Sequence, residues 1–147
     1  MSRFMNNYND IMAFLDEKVA SVSWDEFYGE RKFPAPFILQ NTMPDENLVD
    51  FLNQDIPIKT AIELGCGEGR NAIYMAKKGL TVTALDISPV AIENAKIIAM
   101  EHQVAVDFRC HDIIKDELND KVDFIYDSGL LHHLPPHRRI TYIELLQ

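Results

Sequence analysis

Cysteine is scarce in this chain. Its 147 residues include only Cys66 and Cys110. They fall in different predicted elements and lack metal-ligand spacing, so neither a disulfide framework nor a cysteine metal site is indicated. Positive charge is short as well: 14 Lys and Arg against 23 Asp and Glu leave a net charge of -9. That balance disfavours a nucleic-acid backbone as partner, because such partners attract basic faces. Long apolar runs are missing, and no stretch approaches the ~18–20 residues of a membrane helix. The N-terminus, MSRFMNNYNDIMAFLDEKVA, is broken by acidic residues and has no apolar core of a secretory signal. The expected chain is cytoplasmic, with neither membrane nor nucleic acid as partner. Internal repeats and low-complexity segments are absent too. What remains, a 47% hydrophobic content, suits a single domain with a real core.

Ile11, Met12, Leu15 and Val19 predict a helix over 9–20, capped by Asn9 or Asp10. Residues 21–43 read as irregular and aromatic, with Trp24, Phe27, Tyr28, Phe33 and Phe37. There Pro34 and Pro36 argue against regular helix. Pro44 opens a short helix, DENLVDFL, with acids in its first turn. From there strands and helices alternate. Strands are predicted at 60–64, 80–85, 104–109 and 122–126. Helices are predicted at 71–78, closed by Gly79, from Pro89 to about Met100, and from near Pro136 to Gln147. Such alternation means βαβ units and a parallel sheet.

Glu63-Leu64-Gly65-Cys66-Gly67-Glu68-Gly69-Arg70-Asn71 follows a predicted strand and opens a predicted helix. Glycines in that setting permit a tight turn and close approach of a ligand to backbone. The spacing is G-x-G-x-G. A dinucleotide fingerprint would need a third glycine at position 70, which is Arg70. Glu63 would repel a diphosphate and attract an ammonium group. Asp86 ends the next strand, TVTALD, seventeen residues after Gly69. A carboxylate there can accept from vicinal ribose hydroxyls. Its alternative role is a local cap, since DISP reads as a cap followed by Pro. Taken with the glycine turn, Asp86 points to a nucleoside that bears an amino acid.

At this point the chain resembles the class I S-adenosylmethionine-dependent methyltransferases. ELGCGEGRNAIYMAKKG, VTALDISPVAIENAK, CHDI and DFIYDSGLLHHL resemble their successive motifs. The GCGEGRN form is similar to the small-molecule branch that includes tellurite-resistance and thiopurine-type enzymes. The resemblance covers about residues 57–147. It implies an α/β fold with a Rossmann-like doubly wound parallel sheet in the order 3-2-1-4. An N-terminal helical or lid segment, 1–56, would join the cofactor-binding core, 57–147, in one domain. By the same resemblance Gly65, Gly67 and Gly69 line the methionine moiety, with Cys66 and Asn71 in the same cofactor-binding segment. Glu63 lies at the ammonium side, directly or through water. Asp86 takes the ribose hydroxyls and Ile87 packs on adenine. Asp112 accepts from the adenine amino group, with the Ile113 N–H on the ring. Asp127 and Ser128 sit beside the sulfonium end. The alternative for Asp112 is a solvated loop acid.

Methyl transfer from a sulfonium is an in-line displacement from an activated donor, so the protein mainly aligns and excludes water. His132, His133 and Tyr28 are the candidates to handle a proton, and His137 lies close by in sequence. No metal is expected, since nothing nearby completes a ligand set with the histidines. Arg138 and Arg139 suit a solvated helix face. Trp24 and Tyr28 suit either a lid over a small-molecule acceptor or core packing. Four strands stand where the family has seven, so the chain is expected to be an incomplete piece with impaired turnover. The apolar edge of the fourth strand would then allow a homodimer. Competing functions are a binding module without catalysis and a nicotinamide-dependent oxidoreductase, the latter opposed by Glu63 and Arg70. Nucleic-acid methylation is opposed by charge and by DSGL where an Asn-Pro-Pro-Tyr-type tetrapeptide would stand.

Overall fold

The computed structural model describes residues 7–20, 22–30 and 43–147. Helix α1 spans Tyr8–Asp16. Its cap is Asn7, whose side chain accepts from the Asp10 N–H at 3.0 Å. This is earlier than the Asn9 or Asp10 cap expected, and the helix also ends earlier. Helix α2 spans Trp24–Glu30, within the stretch expected to be irregular. Ser23 explains the difference: its carbonyl accepts from Phe27 N–H at 3.2 Å, and its hydroxyl accepts from Glu26 N–H at 3.4 Å. The two prolines that argued against helix follow α2. With Phe33 and Phe37, they lie outside the described residues. Helix α3 spans Glu46–Leu52, with Asp45 at its N-cap position.

Strand β1 (Thr60–Leu64), helix α4 (Arg70–Lys77), strand β2 (Thr81–Asp86) and helix α5 (Pro89–Glu101) follow. Strand β3 is Asp107–Cys110 and β4 is Phe124–Asp127. Both begin two or three residues later than their apolar runs do. Helix α6 (Leu130–His133) was not anticipated, and α7 is Arg138–Leu145. The four strands form one parallel sheet in the order β3-β2-β1-β4, as expected.

Strand alternation sorts the core. Ala61 and Ala84 face one side with Ala72, Met75, Ile92 and Ala95 from α4 and α5. Ile62, Leu64 and Leu85 face the other with Ile113 and Tyr142. Helices thus cover both faces. Leu64 pairs in register with both Leu85 and Asp127, so three strand tips end level. Because β1 has β2 on one side and β4 on the other, its tip is the switch point where ligands bind in open α/β sheets. At the β4 edge Ile125 is 41% exposed. Among the described residues no helix is long and apolar enough to cross a membrane.

One polar tie joins the chain's two extremes. Asp16 of α1 pairs with Arg138 at 2.5 Å and with His137 at 2.7 Å. The Arg138 guanidinium chiefly holds the Asp16 carboxyl down at about 2, against an ordinary 3.8. A lowered acid stabilises the docked form above its ordinary value and loses that effect as pH falls toward the lowered one. Docking of α1 is therefore expected to weaken between about pH 4 and pH 2. Amide exchange over residues 8–16 checks this. Protection that falls over the same pH range in Asp16→Asn would rule the ion pair out as the cause.

Candidate functional site

The β1–α4 turn is built by short backbone bonds. Cys66 N–H donates to Leu85 O at 2.8 Å, which ties the turn to β2. Gly69 N–H donates to Cys66 O at 2.9 Å, and Gly69 O accepts from Ile73 N–H at 2.8 Å to start α4. Gly69 has φ +81°. A Cβ added there would lie 2.8 Å from the Phe108 ring and 3.3 Å from Ala95 Cβ. The close approach of turn to sheet thus requires glycine.

Asp86 stands at the β2 tip, buried beside this turn. One carboxylate oxygen accepts from Gly67 N–H at 2.8 Å and the other from Ser88 N–H at 3.0 Å. Burial raises its pKa, opposed by these N–H groups. The local turn role weighed against ribose binding is therefore real, and it leaves part of the carboxylate's accepting capacity free. Ile87 at the same tip is 49% exposed, an apolar face open to a flat ring. Cys66 is buried, and burial raises its thiol pKa.

Other expected ligand residues are occupied differently. Asn71 is buried, and its amide is engaged on both sides. Its oxygen accepts from Asp45 N–H at 2.9 Å. Its nitrogen donates to Asp45 at 3.1 Å and to Glu63 at 3.2 Å. It connects the two acids under the turn. Asp127 accepts from the N–H groups of Gly129 and Leu130, each at 2.7 Å, and of Leu131 at 3.1 Å. Tyr142 also donates to it at 2.5 Å. Its carboxylate thus caps α6 and holds α7. Ser128 donates to Asp45. Asp112 accepts from Ile114 N–H at 3.0 Å and pairs with Lys115 at 3.4 Å, as a loop acid would. The Ile113 side chain is buried with Ile62, Leu64 and Leu85 on one face of the sheet.

Asp45 is the residue the sequence did not single out. It read as one acid in a helix start. In space its carboxylate collects Ser128, Tyr126 at 2.9 Å, Asn71, and Arg70 at 2.5 Å. Desolvation opposes its ionisation, but these donors prevail and lower its pKa.

Helix α2 closes one side of the turn. Ser88 donates to Asp25 at 2.5 Å, and the Tyr28 hydroxyl lies against Gly67. Burial, then Asp86, raises the Tyr28 pKa, so it stays protonated. Trp24 meets Phe27 edge-on, and Phe27 meets Tyr28. Trp24 also meets His133 edge-on at 4.9 Å between centroids. Burial, then His132, lowers the His133 pKa. Trp24 and Tyr28 therefore pack against α6 and the glycine turn. His132 and His133 lie 4.0 Å apart, ring to ring, on α6 beyond the β4 tip.

Residues 61–146 match a family described as "Methyltransferase domain". The chain is 33% identical over 101 residues to the 2-heptyl-1-hydroxyquinolin-4(1H)-one methyltransferase of Mycobacteroides abscessus. The match covers 67% of this chain and 44% of that protein. It is 32% identical over 93 residues to the ubiquinone biosynthesis O-methyltransferase of Coxiella burnetii, covering 61% and 40%. A solved structure concerning the conversion of a disulfide bond into a thioacetal group during echinomycin biosynthesis superposes with TM-score 0.73 at 26% identity. It covers 84% of this chain and 52% of that one. The chain spans less than half the length of these curated relatives.

Proposed function

The chain belongs to the methyltransferase-domain family, and we propose that it binds S-adenosylmethionine across the glycine turn for methyl transfer to a small-molecule acceptor. The observation that carries this reading is the Asp86 carboxylate. It is held by Gly67 and Ser88 N–H groups and retains lone pairs for two vicinal hydroxyls. Exposed Ile87 offers the adjoining apolar face for adenine. Glu63, buried at the β1 tip, supplies the acid for an ammonium group. The small-molecule acceptors in the relatives' names and the net charge of -9 support a small acceptor over nucleic acid. The same composition supports work in the cytoplasm.

A bound S-adenosylmethionine supplies an already activated methyl group. The chain's own residues then have to align, shield and manage a proton. Trp24, Phe27 and Tyr28 form the shielding wall. His133, its pKa lowered, is uncharged at pH 7 and suited to accept a proton from an acceptor. Tyr28 keeps its proton and serves as donor, not base. A binding role without catalysis is the second reading. The commitment of Asp127 to α6 and Tyr142 favours it, because that leaves the β4 tip with little free chemistry.

Calorimetric titration with S-adenosylhomocysteine tests the cofactor site. Asp86→Ala is expected to weaken binding by roughly 1–3 kcal/mol, the cost of losing a charge-assisted hydrogen bond. Asp86→Asn, which keeps the shape, should fall between. Undiminished affinity in both variants, or equal affinity for NADH, would sink the reading.

A further inference from the structure

Two carboxyl groups share one amide beneath the glycine turn. Asn71 donates to Asp45 and to Glu63 alike. The two acids are otherwise unequal. Asp45 has the hydroxyls of Tyr126 and Ser128 and the Arg70 guanidinium. Glu63 is 1% exposed, and its Oε2 has no hydrogen-bond partner among the described residues. A charge on Glu63 would sit away from water with an oxygen unsatisfied. The negative charge of the pair therefore belongs on Asp45, and the proton on Glu63.

The surroundings agree. Burial pushes the Glu63 carboxyl up to about 8; Asn71, the Ala72 N–H and Arg70 of α4 oppose this, and Asp45 adds to it. Tyr126 on β4, Cys66 in the turn and Tyr28 on α2 also lie within its field. All three are held protonated by burial.

We infer that Glu63 is a proton-exchanging anchor: an ammonium group docking at the glycine turn replaces the Glu63 proton, which leaves to solvent. The inference rests on the reading that the ligand carries an amino acid at that end. The balance is simple. The ammonium arrives protonated at pH 6.5, Glu63 gives one proton to buffer, and an ion pair remains. The arriving N–H groups supply the donors that Oε2 lacks.

Titration with S-adenosylhomocysteine at pH 6.5, in buffers of different ionisation enthalpy, counts that proton. About one should be released per ligand, and affinity should rise about tenfold per pH unit between pH 6 and 7. Glu63→Gln should release none. Binding without proton release, or the same release in Glu63→Gln, overturns the inference and leaves the cofactor reading standing. No binding in the unsubstituted chain removes both. Carboxyl NMR of the ligand-free chain gives a separate check. One glutamate resonance, missing in Glu63→Gln, should titrate near 8. A midpoint near 4.5 would overturn the inference even where binding is intact.

Discussion

Gly69→Ala should cost the chain about 2–5 kcal/mol of stability and erase ligand binding with it. Two effects add. An L residue at φ +81° is strained by roughly 1–2 kcal/mol. The new methyl also meets the Phe108 ring at 2.8 Å and Ala95 at 3.3 Å, and forcing such a contact apart costs about 1–3 kcal/mol more. Gly79 separates the two. It has φ +93° with nothing within 4 Å of an added Cβ, so Gly79→Ala should show the strain alone, roughly 1–2 kcal/mol. Urea denaturation of both variants measures the difference. Equal losses at the two sites would mean that β3 and α5 yield easily, and that the turn is not tightly fitted to the sheet.

The second large effect depends on pH. Glu63→Gln is expected to make the ligand-free chain more stable than the unsubstituted one above pH 8, and to matter least near pH 4. The folded chain holds the Glu63 proton up to about 8, whereas the unfolded chain releases it near 4.5. Between those values folding takes up a proton, so stability falls as pH rises, by about 1.4 kcal/mol per pH unit. The full effect is on the order of 5 kcal/mol. Glutamine keeps the shape and carries no charge at any pH. Asp86, raised by the same burial, slopes in the same direction in both proteins and cancels in the difference. A stability gap that does not widen from pH 5 to pH 8 would show that Glu63 is already charged.

How far the sequence alone could be read follows from where each contact comes from. The parallel sheet was legible because βαβ alternation is a local pattern that restricts topology, and its order 3-2-1-4 was what the family resemblance implied. That Asp86 would stand at the tip of β2 was legible because a strand end is a local event. Asp45 was not, since its partners lie 25 to 83 residues away and its own neighbourhood is an ordinary helix start. Asn71, Asp112 and Asp127 sit at the positions the motifs named. Whether a polar side chain there faces a ligand or its own fold depends on backbone N–H groups that a motif does not record. Helix α2 was hidden by prolines that follow it, and α6 depends on a cap from Asp127 that only the folded loop supplies.

The double tether of Asp86 also has a meaning for speed and selectivity. Its carboxylate is fixed by the Gly67 amide of the glycine turn and the Ser88 amide at the start of α5 before any ligand arrives, so its rotamer entropy, about 0.5–1.5 kcal/mol for a side chain of this kind, is spent during folding. The ribose end of the site is in this sense preorganised: a matching sugar meets a rigid template, and a sugar lacking one hydroxyl finds a carboxylate that cannot swing to compensate.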